Sequence, residues 1–322
     1  MTMRYRSLGR SGLPVSELGY GAWGIGQSHW IGADDRESLA ALGEAIELGV
    51  NFIDTALLYG EGHSETLVGR AVRAAKETGY VATKIPPANA RWPAESGDPV
   101  EDAFPAAWIR ESTERSLAHL GLETIDLQQF HTWTDDWVHQ GGWAQEVAAL
   151  KQAGKIRCFG VSIRNHRPAS VLKLVRSGLI DSVQVVYNIF DQSPEEELFP
   201  ATIEHGVGVI ARVPFDESGL TGRIRPDTTF ADGDFRNSYF AGERKLETYE
   251  RAQAIVRELA IGEESLAAVA LRFCLSHPAV STVIPGMRSS ANVVRNVAAA
   301  AEPPLDEREF AILRRHDWPR ER

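Results

Sequence analysis

The sequence predicts a parallel α/β architecture: a (β/α)8 TIM barrel, one domain over residues 1–322, with long loops at its C-terminal face. Three observations carry that expectation. Short apolar runs alternate with amphipathic stretches, glycines mark the joints, and no Gly-x-Gly-x-x-Gly turn follows the first run. Alternation alone admits a closed barrel or an open doubly wound sheet. The one Gly-x-Gly-x-x-Gly match, Gly19 to Gly24, begins inside that run rather than in a turn after it, which weakens the open sheet's usual signature and favours the barrel.

Taken in order, the expected strands are residues 18–21, 50–53, 80–83, 124–130, 156–161, 182–186, 207–211 and 281–284. They are short and largely apolar on both faces, as strands buried under helices on one side and a barrel interior on the other must be. Gly49, Gly79, Gly121, Gly154, Gly178 and Gly206 each close a helix-like stretch just before such a run, the place of a C-terminal helix cap. Residues 34–48 show the helical pattern, with Leu39, Leu42 and Ile46 on one face behind a capping-box-like Asp34 and Glu37. Residues 86–105 and 214–244 are too irregular for this scheme. Both follow expected strands, so both are candidate covers for a site at the C-terminal face. Residues 305–318 are expected to form a last helix, followed by a mobile tail.

Composition narrows the functional classes. With 34 basic against 44 acidic residues, the net charge of −10 argues against a nucleic-acid partner, which needs a basic surface. No apolar run approaches the roughly 20 residues that span a bilayer, and the first dozen residues hold no signal-peptide core, so no membrane association and a cytoplasmic location are expected. Cys158 and Cys274, both in apolar patterns, are expected as buried thiols, and no metal-ligand spacing is present.

Chemistry gathers where three successive strands end. Asp54 follows one run, Lys84 the next and His131 the third, with Tyr59 five residues beyond Asp54. Neighbouring strand ends in a barrel place all four in one mouth. Singly, each has a bland reading: a turn cap, a packing aromatic, a solvated lysine, a satisfied core histidine. Together they fit the reduction of a carbonyl by hydride, which leaves an alkoxide to be protonated. A phenol near its ordinary pKa of about 10 is a poor acid at neutral pH unless a cation stabilises its anion. Lys84 is that cation, Asp54 the carboxylate that keeps it charged, and His131 a donor to the carbonyl oxygen.

The run Asn51-Phe52-Ile53-Asp54-Thr55-Ala56-Leu57-Leu58-Tyr59-Gly60, with Ser64-Glu65 and Val68-Gly69, resembles the signature of the aldo-keto reductase family. Val81-Ala82-Thr83-Lys84, and Ile125-Asp126-Leu127 leading to His131, resemble its second and third motifs. The resemblance runs over nearly the whole chain. It implies the barrel, an oxidoreductase that reduces aldehydes or ketones, and a catalytic set of Asp54, Tyr59, Lys84 and His131. It also implies a nicotinamide cofactor held by Ser162, Gln184, Arg212, Pro214, Phe215, Ser218, Arg223, Gly286, Arg288, Asn292 and Asn296. Ser162 and Gln184 match the carboxamide ligands, although Ile163, Arg164 and Asn165 stand where one Asn usually follows the serine. Arg212 stands where many members stack a Tyr or Trp on the nicotinamide. Ser218 and Arg223 bound the loop over the pyrophosphate, where Asp216 and Glu217 add unusual negative charge. Arg288, with Arg295 behind it at the start of a helix, is expected to read a 2′-phosphate, so NADPH is expected over NADH.

Trp23 and Trp133 are expected at a small-molecule carbonyl or alcohol substrate, with Trp30 and Trp92 as further aromatics near the mouth. Monomer and homo-oligomer both remain open. Two rival readings stand beside the reductase. One is a nicotinamide-binding regulatory or partner subunit, since the resemblance extends to potassium-channel β subunits. The other is a lyase or isomerase that uses Lys84 as a Schiff-base amine.

Overall fold

The computed structural model describes residues 2–28, 30–75 and 79–318, so the expected mobile tail lies outside the described residues. Ten strands are present: β1 (Tyr5–Ser7), β2 (Pro14–Ser16), β3 (Tyr20–Gly21), β4 (Phe52–Asp54), β5 (Tyr80–Ile85), β6 (Ile125–Phe130), β7 (Ile156–Ser162), β8 (Ser182–Val186), β9 (Gly208–Arg212) and β10 (Val280–Val283). β3 to β10 pair in sequence order, all parallel, into one curled eight-stranded sheet. Its two edges meet, because Gly19 N–H donates to Val283 O at 2.8 Å, Val283 N–H to Glu17 O at 2.8 Å and Gly21 N–H to Pro285 O at 3.0 Å.

All eight expected strands are found, with shifted ends. The second starts at Phe52 rather than Val50, because the Val50 N–H is spent on Ala45 O as the preceding helix closes. The first is cut to Tyr20–Gly21, and the last is Val280–Val283. The helix Asp35–Glu47 begins on Asp34, whose carboxylate accepts the Glu37 N–H at 2.9 Å. Gly49, Gly121, Gly154, Gly178 and Gly206 all take the left-handed conformation expected of helix ends; Gly79 does not, and the helix His63–Ala74 before it ends on an extended Ala75. The last helix, Glu307–Arg314, starts with a full capping box between Asp306 and Glu309. The two irregular stretches contain short helices, Val100–Ala103 and Arg236–Tyr239, and a six-residue 3-10 segment, Asp216–Thr221. Both cysteines are buried free thiols, as expected.

The antiparallel pair β1–β2 was not anticipated. It folds under the N-terminal ends of the barrel strands, where Leu8, Leu13 and Val15 pack with Phe52, Ala82, Leu127, Cys158, Ile210 and Ile284. Gly9 is left-handed at φ 53°, and a Cβ there would stand 2.2 Å from the Gly208 nitrogen, so only glycine permits the contact. Arg10 donates to Gly178 O and Ile180 O, and Arg6 to Leu275 O and Val280 O, tying this segment to the loop before β8, to the helix Leu266–Ser276 and to β10. The barrel is floored. Functional groups are left to the opposite end.

Candidate active site

Register brings the expected catalytic residues together. Asp54 ends β4, and Lys84 in β5 pairs with Gln129 in β6, two residues before His131. The Lys84 ammonium, fully buried, donates to Asp54 Oδ2 at 2.5 Å, Thr55 O at 2.8 Å and Tyr59 Oη at 3.3 Å. All three of its protons are therefore placed.

Tyr59 is delivered by the turn after β4. Thr55 Oγ1 donates to Ser64 Oγ at 2.9 Å, Ser64 Oγ donates to Ala22 O at 2.9 Å, and buried Glu65 accepts from Thr83 at 2.6 Å. The motif's Ser64 and Glu65 thus anchor the loop that carries the phenol. Burial of the hydroxyl pushes the Tyr59 pKa above its ordinary value; Lys84 pulls it down but does not offset the burial. The phenol consequently stays protonated at neutral pH and is a weaker acid than a free tyrosine, so the net lowering expected from Lys84 is not seen.

His131 lies beside Tyr59, ring centroids 5.7 Å apart. Burial first, then the charges of Lys84 and Arg212, hold it well below the usual imidazole range, so the ring is neutral. Its Nδ1 is buried with no hydrogen-bond partner among the described residues, which leaves Nε2 as the nitrogen available to a ligand.

The expected cofactor residues divide. Ser162 ends β7 in register with Gln184, but the Gln184 side chain donates to Asp54 Oδ1 at 2.7 Å, joined there by Gln129 Nε2 at 3.2 Å. Arg212 ends β9, where its Nη2 donates to Ile163 O at 3.0 Å and Asn165 Oδ1 at 2.5 Å. Its Nε is buried without a partner among the described residues, and burial pushes its pKa down against the nearby charges of Tyr59, Glu217 and Asp54. Asn165 therefore holds the guanidinium in place. Pro214 and Phe215 follow, and Val213, Asp216, Glu217 and Ser218 all have positive φ, at 57°, 46°, 52° and 88°. Such strain costs on the order of 1–3 kcal/mol per non-glycine residue and collects at ligand clamps. Asp216 ties the segment to the long loop, accepting from the Tyr239 hydroxyl. Arg223 is exposed.

Beyond β10, Gly286 is exposed with open space above it, and Ser289 caps the helix Ser290–Ala301 by accepting the Asn292 N–H. Arg288 reaches back past Gly24 to donate to Ile31 O at 3.0 Å, with no carboxylate within ion-pair distance among the described residues. Burial first, then the neighbouring Arg236, lower its pKa. Arg236 is itself paired with Asp234, so Arg288 is the underpaired cation of the group, and such a cation suits an anionic ligand. Arg295 instead donates to the Asn292 side chain at 2.5 Å, and Asn296 is buried within the helix.

One substrate expectation is corrected. Trp133 is 0 % exposed, its ring packed against Trp137, Trp143 and Phe130 behind the sheet, so it belongs to the core. Trp92 takes the place by the histidine: 51 % exposed, it stands perpendicular to the His131 ring at 4.6 Å. On the other side Trp23 lies 6.4 Å from the Tyr59 ring and 5.3 Å from Phe235. Trp30 sits behind Trp23 with the Arg236 guanidinium over its ring. Among the described residues no acidic, His or Cys group could hold a metal ion, and no helix is long and apolar enough to cross a membrane.

The profile of the aldo/keto reductase family matches residues 17–317. The chain is 34% identical to the uncharacterized oxidoreductase YqkF of Bacillus subtilis, over 98% of this chain and 96% of that one. It superposes on the holo form of the aldo-keto reductase AKR11C1 from Bacillus halodurans with a TM-score of 0.77 at 31% identity, covering 98% of this chain and 97% of the other. Names among the matches point to both cofactors. A Klebsiella pneumoniae aldo-keto reductase solved with NADPH matches at TM-score 0.72 and 25% identity, over 100% of this chain and 98% of the other. An NADH-specific methylglyoxal reductase of Escherichia coli is 29% identical over 92% of this chain and 93% of its own. The curled eight-stranded parallel sheet, the match over almost all of the chain and the relatives' sequences lead to one assignment: the chain belongs to the aldo/keto reductase family of oxidoreductases.

Proposed function

We propose that the protein is an NADPH-dependent reductase of aldehydes or ketones in which Tyr59 is the general acid. One observation carries this reading: a buried ammonium shared between Asp54, Thr55 O and the Tyr59 hydroxyl at the open end of the barrel, beside a neutral histidine. A nicotinamide cofactor, when bound, supplies the hydride. The residues present suit such a group: amide and hydroxyl at Gln184 and Ser162, an unpaired Nε on Arg212, and an underpaired Arg288 beside a helix N-terminus.

In the proposed reaction His131 donates to the carbonyl oxygen through Nε2 and keeps it within reach of Tyr59 Oη. The phenol gives its proton to that oxygen as charge develops. Lys84, already bonded to Oη, receives the phenolate next to a fixed positive charge, so the environment needs little rearrangement. Asp54 balances that charge. In the alcohol-to-carbonyl direction the same Tyr59 accepts the proton. Steady NADPH consumption across a panel of aldehydes, ketones, dicarbonyls and sugars tests the reading, and absence of turnover with every class would favour the partner-subunit alternative. The partner is accordingly a small molecule, not nucleic acid, in the cytoplasm.

The choice of NADPH rests on Arg288. Arg288→Ala is expected to lower kcat/KM for NADPH by about tenfold or more while changing NADH little, since a charge-assisted contact to a phosphate is worth about 1.5–3 kcal/mol. Equal losses for both cofactors, or a wild type that prefers NADH, would overturn the 2′-phosphate assignment.

Trp23 and Trp92 flank the Tyr59 and His131 pair with aromatic faces, which suits flat apolar carbonyl compounds. Trp92→Ala is expected to raise KM for 4-nitrobenzaldehyde by about tenfold and leave methylglyoxal nearly unchanged, from an aromatic contact worth about 1 kcal/mol beyond buried area. A uniform change for both substrates would place Trp92 outside the substrate contact.

A further inference from the structure

A buried ion pair is stable only when its remaining hydrogen-bonding positions are filled. Lys84 fills its own with Thr55 O and Tyr59 Oη, and Asp54 Oδ2 faces the ammonium. Asp54 Oδ1 is left, and two amides serve it: Gln184 Nε2 from β8 at 2.7 Å and Gln129 Nε2 from β6 at 3.2 Å. The two glutamines differ in what else they face. Gln184 lies in register with Ser162 at the proposed carboxamide position, so its side chain has a second call on it. Gln129 is fully buried, its Oε1 has no partner among the described residues, and turning the amide over would set that oxygen against a carboxylate. Its orientation is therefore fixed by Asp54 alone.

We propose that Gln129 is a positioning residue for the proton donor: its amide holds the Asp54 carboxylate toward Lys84, and so keeps the ammonium against Tyr59, when Gln184 turns to the cofactor. The inference rests on the reductase reading. The groups facing the phenol are Asp54 from β4, Lys84 from β5, His131 beyond β6 and Arg212 from β9; Gln129 carries no charge and acts through the first two. Without the Gln129 donor the carboxylate is free to swing, and the ammonium follows it away from Oη. Tyr59 then becomes a weaker acid.

The test is the pH profile of NADPH-dependent reduction of 4-nitrobenzaldehyde by wild type, Gln129→Met and Tyr59→Phe. Gln129→Met keeps the side chain's length and removes the donor. Its kcat is expected to fall about tenfold and the alkaline limb of its kcat profile to move up by about one unit, with KM within about twofold, because a hydrogen bond to a charged group is worth roughly one such unit. Gln129→Asn, which withdraws the amide by one methylene, is expected to shift the limb the same way by less, and serves if the methionine variant does not fold. In an Asp54→Asn background the Gln129 effect should vanish. A lowered kcat with an unmoved limb, or an undiminished effect without the Asp54 charge, overturns the proposal and leaves Gln129 a packing residue. Full activity in Tyr59→Phe would instead overturn the reductase reading, whatever Gln129 does.

Discussion

Tyr59→Phe is expected to lose about 10²–10⁴-fold in kcat for carbonyl reduction and to keep its cofactor dissociation constant, the range typical of removing a general acid. The reason lies in what the hydroxyl touches. Among the described residues its one hydrogen bond is from Lys84 at 3.3 Å, and that ammonium retains Asp54 and Thr55 O when the hydroxyl is gone. The variant should therefore fold with near-normal stability, which separates lost chemistry from lost structure. Single-turnover rates with NADPH, alongside fluorescence titration of the cofactor, make the measurement. Near-normal turnover would remove Tyr59 from the mechanism.

Lys84→Met is expected to fail in both respects. Deleting one partner of a buried ion pair leaves the other charge uncompensated and costs about 3–5 kcal/mol, here at Asp54, deep among Gln129, Gln184 and the strand ends. Urea denaturation should show that loss, while reductase activity falls as far as in Tyr59→Phe because the phenolate has no cation beside it. Adding Asp54→Asn to Lys84→Met removes the stranded charge and should return most of the stability but none of the activity. A double variant as unstable as the single one would mean that the loss came from packing of the lysine stem rather than from charge.

The strands were legible because a barrel strand is buried on both faces and so reads as an apolar run, and the catalytic candidates were legible because they interrupt those runs at their ends. Where a run abuts a helix end, the boundary moves, as Val50 shows. The β1–β2 pair escaped notice because its strands have three residues each and carry Arg6 and Ser7 in place of an apolar pattern. Trp92 and Trp133 illustrate a different limit. Both follow strands, and composition does not tell which way a loop residue turns; Trp133 turns under into a cluster of rings, while Trp92 is left at the rim. Gln129 did leave a trace: two adjacent glutamines inside a buried strand need partners for their amides, and asking where those partners lie would have led to Asp54. The shape of the 213–218 segment was not readable, since its positive φ angles fall on Val, Asp, Glu and Ser rather than on glycine.

The floor made by β1 and β2 also governs traffic. With Leu8, Leu13 and Val15 filling the lower end of the barrel among the described residues, the route to the strand ends is through the opposite mouth. Ser162 and Gln184 are buried within that mouth, whereas Trp92 stands half exposed at its rim. On the proposed reading, a cofactor resting on the first pair lies deeper than a substrate held at the rim. Arrival and departure are then expected to form a queue, the deeper ligand first in and last out, which product-inhibition patterns would check.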